Sequence, residues 1–527
     1  MLDLLITGGL VLDGAGNPGQ YLSVGVRDGN LEVLRGDVSQ VQATRRIDAT
    51  GKIVCPGFID VHAHSGLMIL NQPEHMPKVH QGVTTEVIGI DGNSYAPFRD
   101  PADLDRMIQI NAGLEGDPEL PGRWGSVSEY LDMFDRKVAV NIAYVVGNSP
   151  LRVGAMGWGN KAATPKDMAT QKALLREAMA EGAFGISTGL DYPPGSYADT
   201  DELVELSEEA ARLGGFYHTH VRYRLGDRYL DPFKEAIEIG RRSGIPIHLT
   251  HMNRRITSPG GLARIFDVVE SARDEGLDVT FDCYPYQYGG TRLLVMFPDW
   301  LHDGGPELVL ERLASEEARE RLRKEVGIFN LAWDQMWLTY FKQPHNKVYE
   351  GRTIEAVADM RYQHPVDALC DLLIDEQLRV SFKAHTIDAR IIPDLIAHPL
   401  YMVGTDALLI GDFPPPMGYG SFPVILSEIV REEGKLPLTE AIRKMTSYPA
   451  FRVGIPDRGL IKDGFKADLT IFDYNEIKAH ATLQKPKELS TGVEYVIVNG
   501  TVVIDKGEHT GALPGHALRK GGTRKGA

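Results

Sequence analysis

The chain is poor in cysteine: Cys55, Cys283 and Cys370 are the three in 527 residues, odd in number and far apart. There is no CxxC pair to hold zinc and no disulfide framework, which fits a reducing compartment such as the cytoplasm. Basic charge is not in excess either. Against 72 Asp+Glu stand 56 Lys+Arg, and the net charge of −16 has the wrong sign for displacing counterions along a nucleic acid. No apolar run approaches the ~20 residues that span a bilayer, so no membrane partner is expected. The opening MLDLLITGGLVLDG lacks a basic stretch and a small-residue cleavage site, and is not expected to be a signal peptide. What remains is an ordinary globular composition, 43% hydrophobic and 24% charged. The length suits two to four cores or one large barrel with attachments, and leaves a homo-oligomer open.

The two ends of the chain read alike. LLITGGLVL and YLSVGVRDGNLEVLRG near the start, and GLIKDGFKADLTIFDY and VEYVIVNGTVVIDKGEHTG near the finish, are short strands with DG and NG turns. Neither set can bury a face alone, so residues 1–55 and 455–512 are expected to form one small β-sandwich domain. Residues 513–527 are expected to be a basic, disordered tail.

Between these ends, apolar strands alternate with helical stretches such as QKALLREAMAEG and PFKEAIEIGRRSG, which carry i, i+3/i+4 apolar spacing and end in glycine. Eight strands in this rhythm predict an α/β fold, a parallel (β/α)8 TIM-like barrel over residues 56–454. A stretch at about 291–380 is too long for one crossover and reads as an insertion at the barrel mouth. LRVSFKAHTID just after it competes for the eighth strand position.

Barrel chemistry sits at the C-terminal ends of the strands. His62 and His64 in FIDVHAHSG, His220 in YHTHVR, His251 in HLTHM and Asp406 in VGTD all stand there. A lone histidine is usually a hydrogen-bonded core or surface residue; four plus an aspartate at strand ends suggest a metal site. Nitrogen and carboxylate donors suit Zn²⁺, one or two ions, or another divalent transition metal. His218 shares a face with His220 and reads as support for it, and His385 as structural.

The HxH pair with later His, His and Asp, together with PGFID.H.H and G.IKDG..ADLTIFD, resembles the amidohydrolase superfamily over nearly the whole chain. FGISTGLDYPPGSYA, THVR and YGSFPVIL resemble the N-acyl-D-amino-acid deacylases (D-aminoacylases) within it. That resemblance implies zinc-dependent hydrolysis of a linear amide, with a small-molecule amide as substrate and Asp406 as general base and acid. It also exposes departures. The family's cysteine ligand after the second strand falls at Asp91, which is either a substituting metal ligand or the cap of a turn. Asn253 and Met417 stand where the family carries lysine and arginine for a substrate carboxylate. Arg222, Arg254 or Arg292 would have to compensate. Tyr192 and Tyr286 match substrate-facing positions, although tyrosines in Pro/Gly loops are commonly packing residues. Asn148 replaces a histidine of the pattern. The alternatives are an amidohydrolase acting on a carboxylate-free or cyclic amide, and a non-catalytic scaffold that has lost its metal. A deaminase is disfavoured, since no HxE-type acid follows the fifth strand.

Overall fold

The computed structural model describes residues 1–227, 229–253, 261–326 and 332–521. The fold is mixed α/β. Eight short strands in the middle of the chain carry the site: β1 (Phe58–Asp60), β2 (Val83–Ile88), β3 (Asn141–Tyr144), β4 (Gly185–Gly189), β5 (Phe216–His220), β6 (Ile247–Leu249), β7 (Val279–Cys283) and β8 (Tyr401–Val403). Nearly every residue in them is buried, so they read as continuous apolar runs and not as alternating ones, as expected of parallel strands covered on both faces. β1, β2 and β3 pair in parallel. After β3 the chain runs on as Val146–Gly147 and pairs with β4, and from there β4 to β8 pair in parallel in sequence order. The Val61 amide donates to the Val403 carbonyl (3.3 Å) and the Asp406 amide to that of His62 (2.9 Å), joining the end of β8 to the end of β1.

Both chain ends contribute to a second core. Leu2–Thr7, Ser23–Arg27, Asn30–Leu34 and Ala43–Asp48 form a four-stranded sheet, while Ile53–Pro56 lies antiparallel to Leu469–Phe472 in a seven-stranded one. Leu4, Val24, Val26 and Ile47 pack with Leu469, Ile471 and Ile497 in one cluster. The DG and NG turns form as read: Asp28–Gly29 and Asn499–Gly500 adopt positive φ at both positions, the geometry of a tight hairpin.

Two expectations change. The extra segment is wider than 291–380, because Tyr288–Arg292, Met336–Tyr340 and Ser381–His385 together make a three-stranded antiparallel sheet. LRVSFKAHTID is therefore the central strand of that sheet, not an eighth parallel strand. Nor is the C-terminal stretch loose as far as it is described. The Ile142 amide donates to the His516 carbonyl and the Leu518 amide to that of Ile142, while Arg519 pairs with Asp132 and Asp135. Backbone pairing and ion pairs outweigh the basic composition here; residues 522–527 lie outside the described residues.

Candidate metal centre

Asp91 stands at the middle of the cluster. It follows β2 in the left-handed region, φ 53°, and aims one carboxylate oxygen at four imidazoles. Asp91 Oδ2 lies 3.6 Å from His62 Nε2, His64 Nε2 and His220 Nδ1, and 3.9 Å from His251 Nε2. Asp406 Oδ1 sits 3.3 Å from His62 Nε2 and 3.2 Å from His64 Nε2. These spacings make two donor groups that share one aspartate, His62, His64, Asp91 and Asp406 on one side and Asp91, His220 and His251 on the other; His62, His218 and Asp282 form a third close group. All five expected strand-end residues and Asp91 converge, and each is buried.

Asp91, His251 (φ 32°) and Asp406 (φ 49°) all have left-handed backbones. Such conformations cost energy in non-glycine residues and persist where the surroundings hold them, commonly at functional sites. Of the two readings of Asp91, the turn cap loses support: among the described residues no backbone amide donates to its carboxylate, and its buried Oδ1 has no hydrogen-bond partner.

The carboxylates and imidazoles of the cluster stabilise each other's charged forms against burial. Burial alone would push the Asp91 carboxyl up, but His62, His220 and His251 hold it well below the usual carboxylate range. Burial likewise favours a neutral His62, yet Asp91, Asp282 and Asp406 outweigh it and raise its proton affinity well above the ordinary value. His220 is raised to about 9, against burial, by Asp191 and Asp91. Carboxylates that bind protons through histidines this strongly also favour a cation in the same place.

Each cluster imidazole has its other ring nitrogen held by a buried group. His62 Nδ1 faces Asp282 Oδ2 (3.2 Å), His64 Nδ1 faces Glu115 Oε1 (3.1 Å), His220 Nε2 faces Asp191 Oδ2 (3.3 Å) and His251 Nδ1 faces the Tyr223 hydroxyl (3.0 Å). The carboxylate partners of His62, His64 and His220 favour the tautomer whose inner nitrogen is a lone-pair donor, and the inner nitrogens of His220 and His251 stand 2.9 Å apart. None of these four supports was read from the sequence. Asp282 carried a faint signal, an acid inside the apolar strand VTFDC, whereas Glu115 ends a helix with no local hint of its partner.

Beneath the cluster lies a buried ion network. Lys78 Nζ reaches Asp60 Oδ2 (2.5 Å), Glu86 Oε1 (2.8 Å) and Thr405 Oγ1 (2.9 Å). Asp60 Oδ1 in turn accepts the backbone amides of His62 (3.1 Å) and Thr405 (3.0 Å), tying β1 to β8 just below the donors. Glu86 Oε2 takes His75 Nε2 at 3.0 Å. Burial opposes the Glu86 charge, but His75 and Lys78 hold its carboxyl well below the usual range. With the folded value depressed, this stabilisation is complete above the ordinary carboxylate pKa of about 4.3 and fades as pH falls below it. Glu86→Gln should cost about 3 kcal/mol at neutral pH, as removing one member of a buried pair does. The gap to wild type in thermal-melt series should narrow below about pH 4; a pH-independent gap would contradict the ionised reading.

The cluster opens into a cavity lined by Asp91, Asp406, Asp191, His220 and His251, by Tyr192, Tyr223, Asn253, Tyr284 and Val295, and by Gly289–Thr291, Phe382 and Thr386 of the extra sheet and its edge. Of the expected substrate residues, Tyr192 and Asn253 line it. Tyr192 donates or accepts at Thr291 Oγ1 (2.9 Å), and Asn253 Nδ2 donates to the His251 carbonyl (2.6 Å). Arg222 and Tyr286 are not among the lining residues. The Arg222 guanidinium is committed to Glu235 and to the Ser196 and Ala198 carbonyls (2.7 Å each). Tyr286 is packed against Gly420, and Tyr284, two residues earlier in the same motif, lines the wall instead. Arg292 is fully buried, donating to Asn111 and Ile110 behind Tyr192. Met417 is buried at the start of a helix. Asn148 donates to the Gly195 carbonyl (2.9 Å), and Arg254 lies outside the described residues. His218 Nε2 is spent on the Val61 carbonyl (3.1 Å), and His385 lies at the end of the middle strand of the extra sheet.

Known proteins resemble the chain over nearly its whole length. The profile of the amidohydrolase family matches residues 45–297 and 328–504. The chain is 32% identical to the D-aminoacylase of Alcaligenes xylosoxydans xylosoxydans over 98% of both chains. It is 33% identical to the N-acyl-D-aspartate deacylase of the same organism, over 98% of this chain and 95% of that one. The crystal structure of N-acyl-D-glutamate deacylase from Bordetella bronchiseptica, complexed with zinc and a phosphonate mimic of the tetrahedral intermediate, superposes with a TM-score of 0.83 at 30% identity, covering 98% of this chain and 100% of that one.

Proposed function

The chain belongs to the amidohydrolase family, and from that premise we propose that it is a metal-dependent hydrolase of linear amide C–N bonds that deacylates an N-acyl-D-amino acid or a related N-acyl amine. The observation that carries this reading is one carboxylate oxygen, Asp91 Oδ2, within 3.9 Å of four imidazole nitrogens, with Asp406 Oδ1 beside two of them. The donor set of nitrogen and oxygen fits zinc or another divalent transition metal, one ion or two. The buried, unbonded His62 Nε2 and Asp91 Oδ1 are the atoms such a group would satisfy. His62, His64 and Asp91 would hold one ion, with Asp406 beside it, and Asp91, His220 and His251 would hold the other. A bound ion supplies an acidified water and a polarised carbonyl. Asp406 Oδ1, pointing into the same cavity, takes the proton of the attacking water and returns it to the leaving nitrogen. Tyr192 and Asn253 meet the substrate from the wall.

The same reading includes the scaffold. The eight parallel strands form a (β/α)8 barrel closed between β8 and β1, and the terminal sheets form a small β-sandwich domain; the β8–β1 hydrogen bonds and the shared terminal core support both. Among the described residues no helix is long and apolar enough to cross a membrane, and the three cysteines are unpaired and buried, which supports a cytoplasmic location.

A second reading, a carboxylate-free or cyclic amide as substrate, is favoured by Met417 being buried and by Arg222 being occupied elsewhere. One assay separates the two. Zinc-loaded enzyme is tested on N-acyl-D- and N-acyl-L-amino acids and on the matching neutral amides, before and after chelator treatment. Deacylation of the D-acids, lost on chelation and restored by zinc, is the expected result. Turnover confined to neutral amides would select the second reading, and turnover that survives complete metal removal would sink both.

A further inference from the structure

Asp282 differs from the other buried groups around the cluster in that it touches both donor groups at once. It stands one residue before the end of β7, fully buried. Its Oδ2 accepts from His62 Nδ1 (3.2 Å) and from His248 Nε2 (3.1 Å). Its Oδ1 accepts the backbone amide of His251 at 2.6 Å, and its own carbonyl accepts the amide of Met252 at 2.8 Å. His62 belongs to the first donor group and His251 to the second.

We propose that Asp282 is the positioning residue that locks the two halves of the metal centre to each other. The assignment rests on the proposed metal centre and goes beyond it, since Asp282 has no place among the expected ligands. Two separate effects pass through one carboxylate. At His62, a negatively charged acceptor on Nδ1 keeps the proton there, so Nε2 presents its lone pair inward, and the imidazole becomes a better donor. At His251, the 2.6 Å bond anchors a backbone at φ 32°, a conformation histidine does not hold unaided. Asparagine cannot reproduce this set: all three partners are N–H donors, and the asparagine amide would turn a donor of its own toward one of them. Nor is there room to shift. Gly404 of the β8 end packs so closely that a Cβ there would come within 2.6 Å of Asp282 Cγ and 2.7 Å of His62 Cβ. His248, bonded on its other side to Thr280 Oγ1 (2.9 Å), steadies the carboxylate from behind.

The test is metal affinity, measured by competition against a chromophoric zinc chelator, with metal content by mass spectrometry and the visible spectrum of the cobalt-substituted protein. Wild type is measured first. A wild-type protein that takes up no metal overturns the centre itself, and this assignment with it. Given wild-type uptake, Asp282→Asn is expected to lower zinc affinity 10- to 100-fold, to reduce the metal retained per chain, and to shift the cobalt spectrum, with the far-UV circular dichroism unchanged. A merely structural role would lower the melting temperature and leave affinity and spectrum as they were, which would overturn the proposal. Should Asp282→Asn fail to fold, His248→Gln decides: it loosens the carboxylate without touching a donor, and a fall in zinc affinity of 3- to 10-fold supports the proposal, whereas wild-type affinity refutes it.

Discussion

Asp406→Asn is expected to remove turnover by at least about 10²-fold, and up to 10⁴-fold, while metal content and melting temperature stay near wild type. The substitution keeps the shape of the side chain and tolerates the left-handed backbone at φ 49°, which asparagine adopts more readily than most residues. What it removes is the ability to accept a proton. Burial would raise this carboxyl, but His62, together with His64 and His251, holds it at about 2, so it is ionised at neutral pH. Those same histidines depress it most when they are charged. A divalent cation held by the same histidines would take over their charge and keep this carboxylate ionised. Steady-state kinetics on the best amide of the substrate panel, beside metal analysis of the same preparation, checks this; a kcat within tenfold of wild type would remove Asp406 from the chemistry.

Asp91→Asn should act differently, by emptying the centre. Asparagine again suits the backbone, at φ 53°. The loss of negative charge, however, falls on the one oxygen that faces all four imidazoles. Zinc affinity is expected to drop by more than about 10²-fold, the upper range for disturbing even an outer partner. Activity should fall with it and recover only in part at high zinc. If Asp91 merely capped a turn, the variant would lose stability and keep its metal; isothermal titration with zinc tells the two apart.

The core of the site was legible because strand ends are local. His62, His64, His220, His251 and Asp406 each follow an apolar run, and parallel strands bring such positions to one rim. Asp91 was legible only as a departure, and its central position depends on a left-handed turn that the sequence GIDG permits without requiring. The supports were largely illegible for a physical reason. Glu115 meets His64 across 51 positions and Asp282 meets His62 across 220, so nothing near either residue announces its partner. The misplaced residues share a cause as well. Arg222 and Tyr286 lie in loops or at loop edges, where side-chain direction follows the turn and not strand alternation, and so residues one or two positions away, Tyr223 and Tyr284, line the cavity instead. The extra strand Ser381–His385 has the composition of a core strand, and only its antiparallel partners reveal that it belongs to another sheet.

The sheet that joins the two chain ends sets a timetable for synthesis. The Cys55 thiol meets the Thr470 carbonyl across 415 positions, and their strands lie side by side. At translation rates of roughly 5–20 residues per second, Ile53–Pro56 waits about 20–80 seconds on the ribosome for the strand that will cover it. All the donors of the metal centre have emerged by then. The seven-stranded sheet therefore closes after the donors have emerged, and the apolar N-terminal strands, whose core partners Leu469, Ile471 and Ile497 come from that late segment, are the part of the nascent chain that most needs shelter until it does.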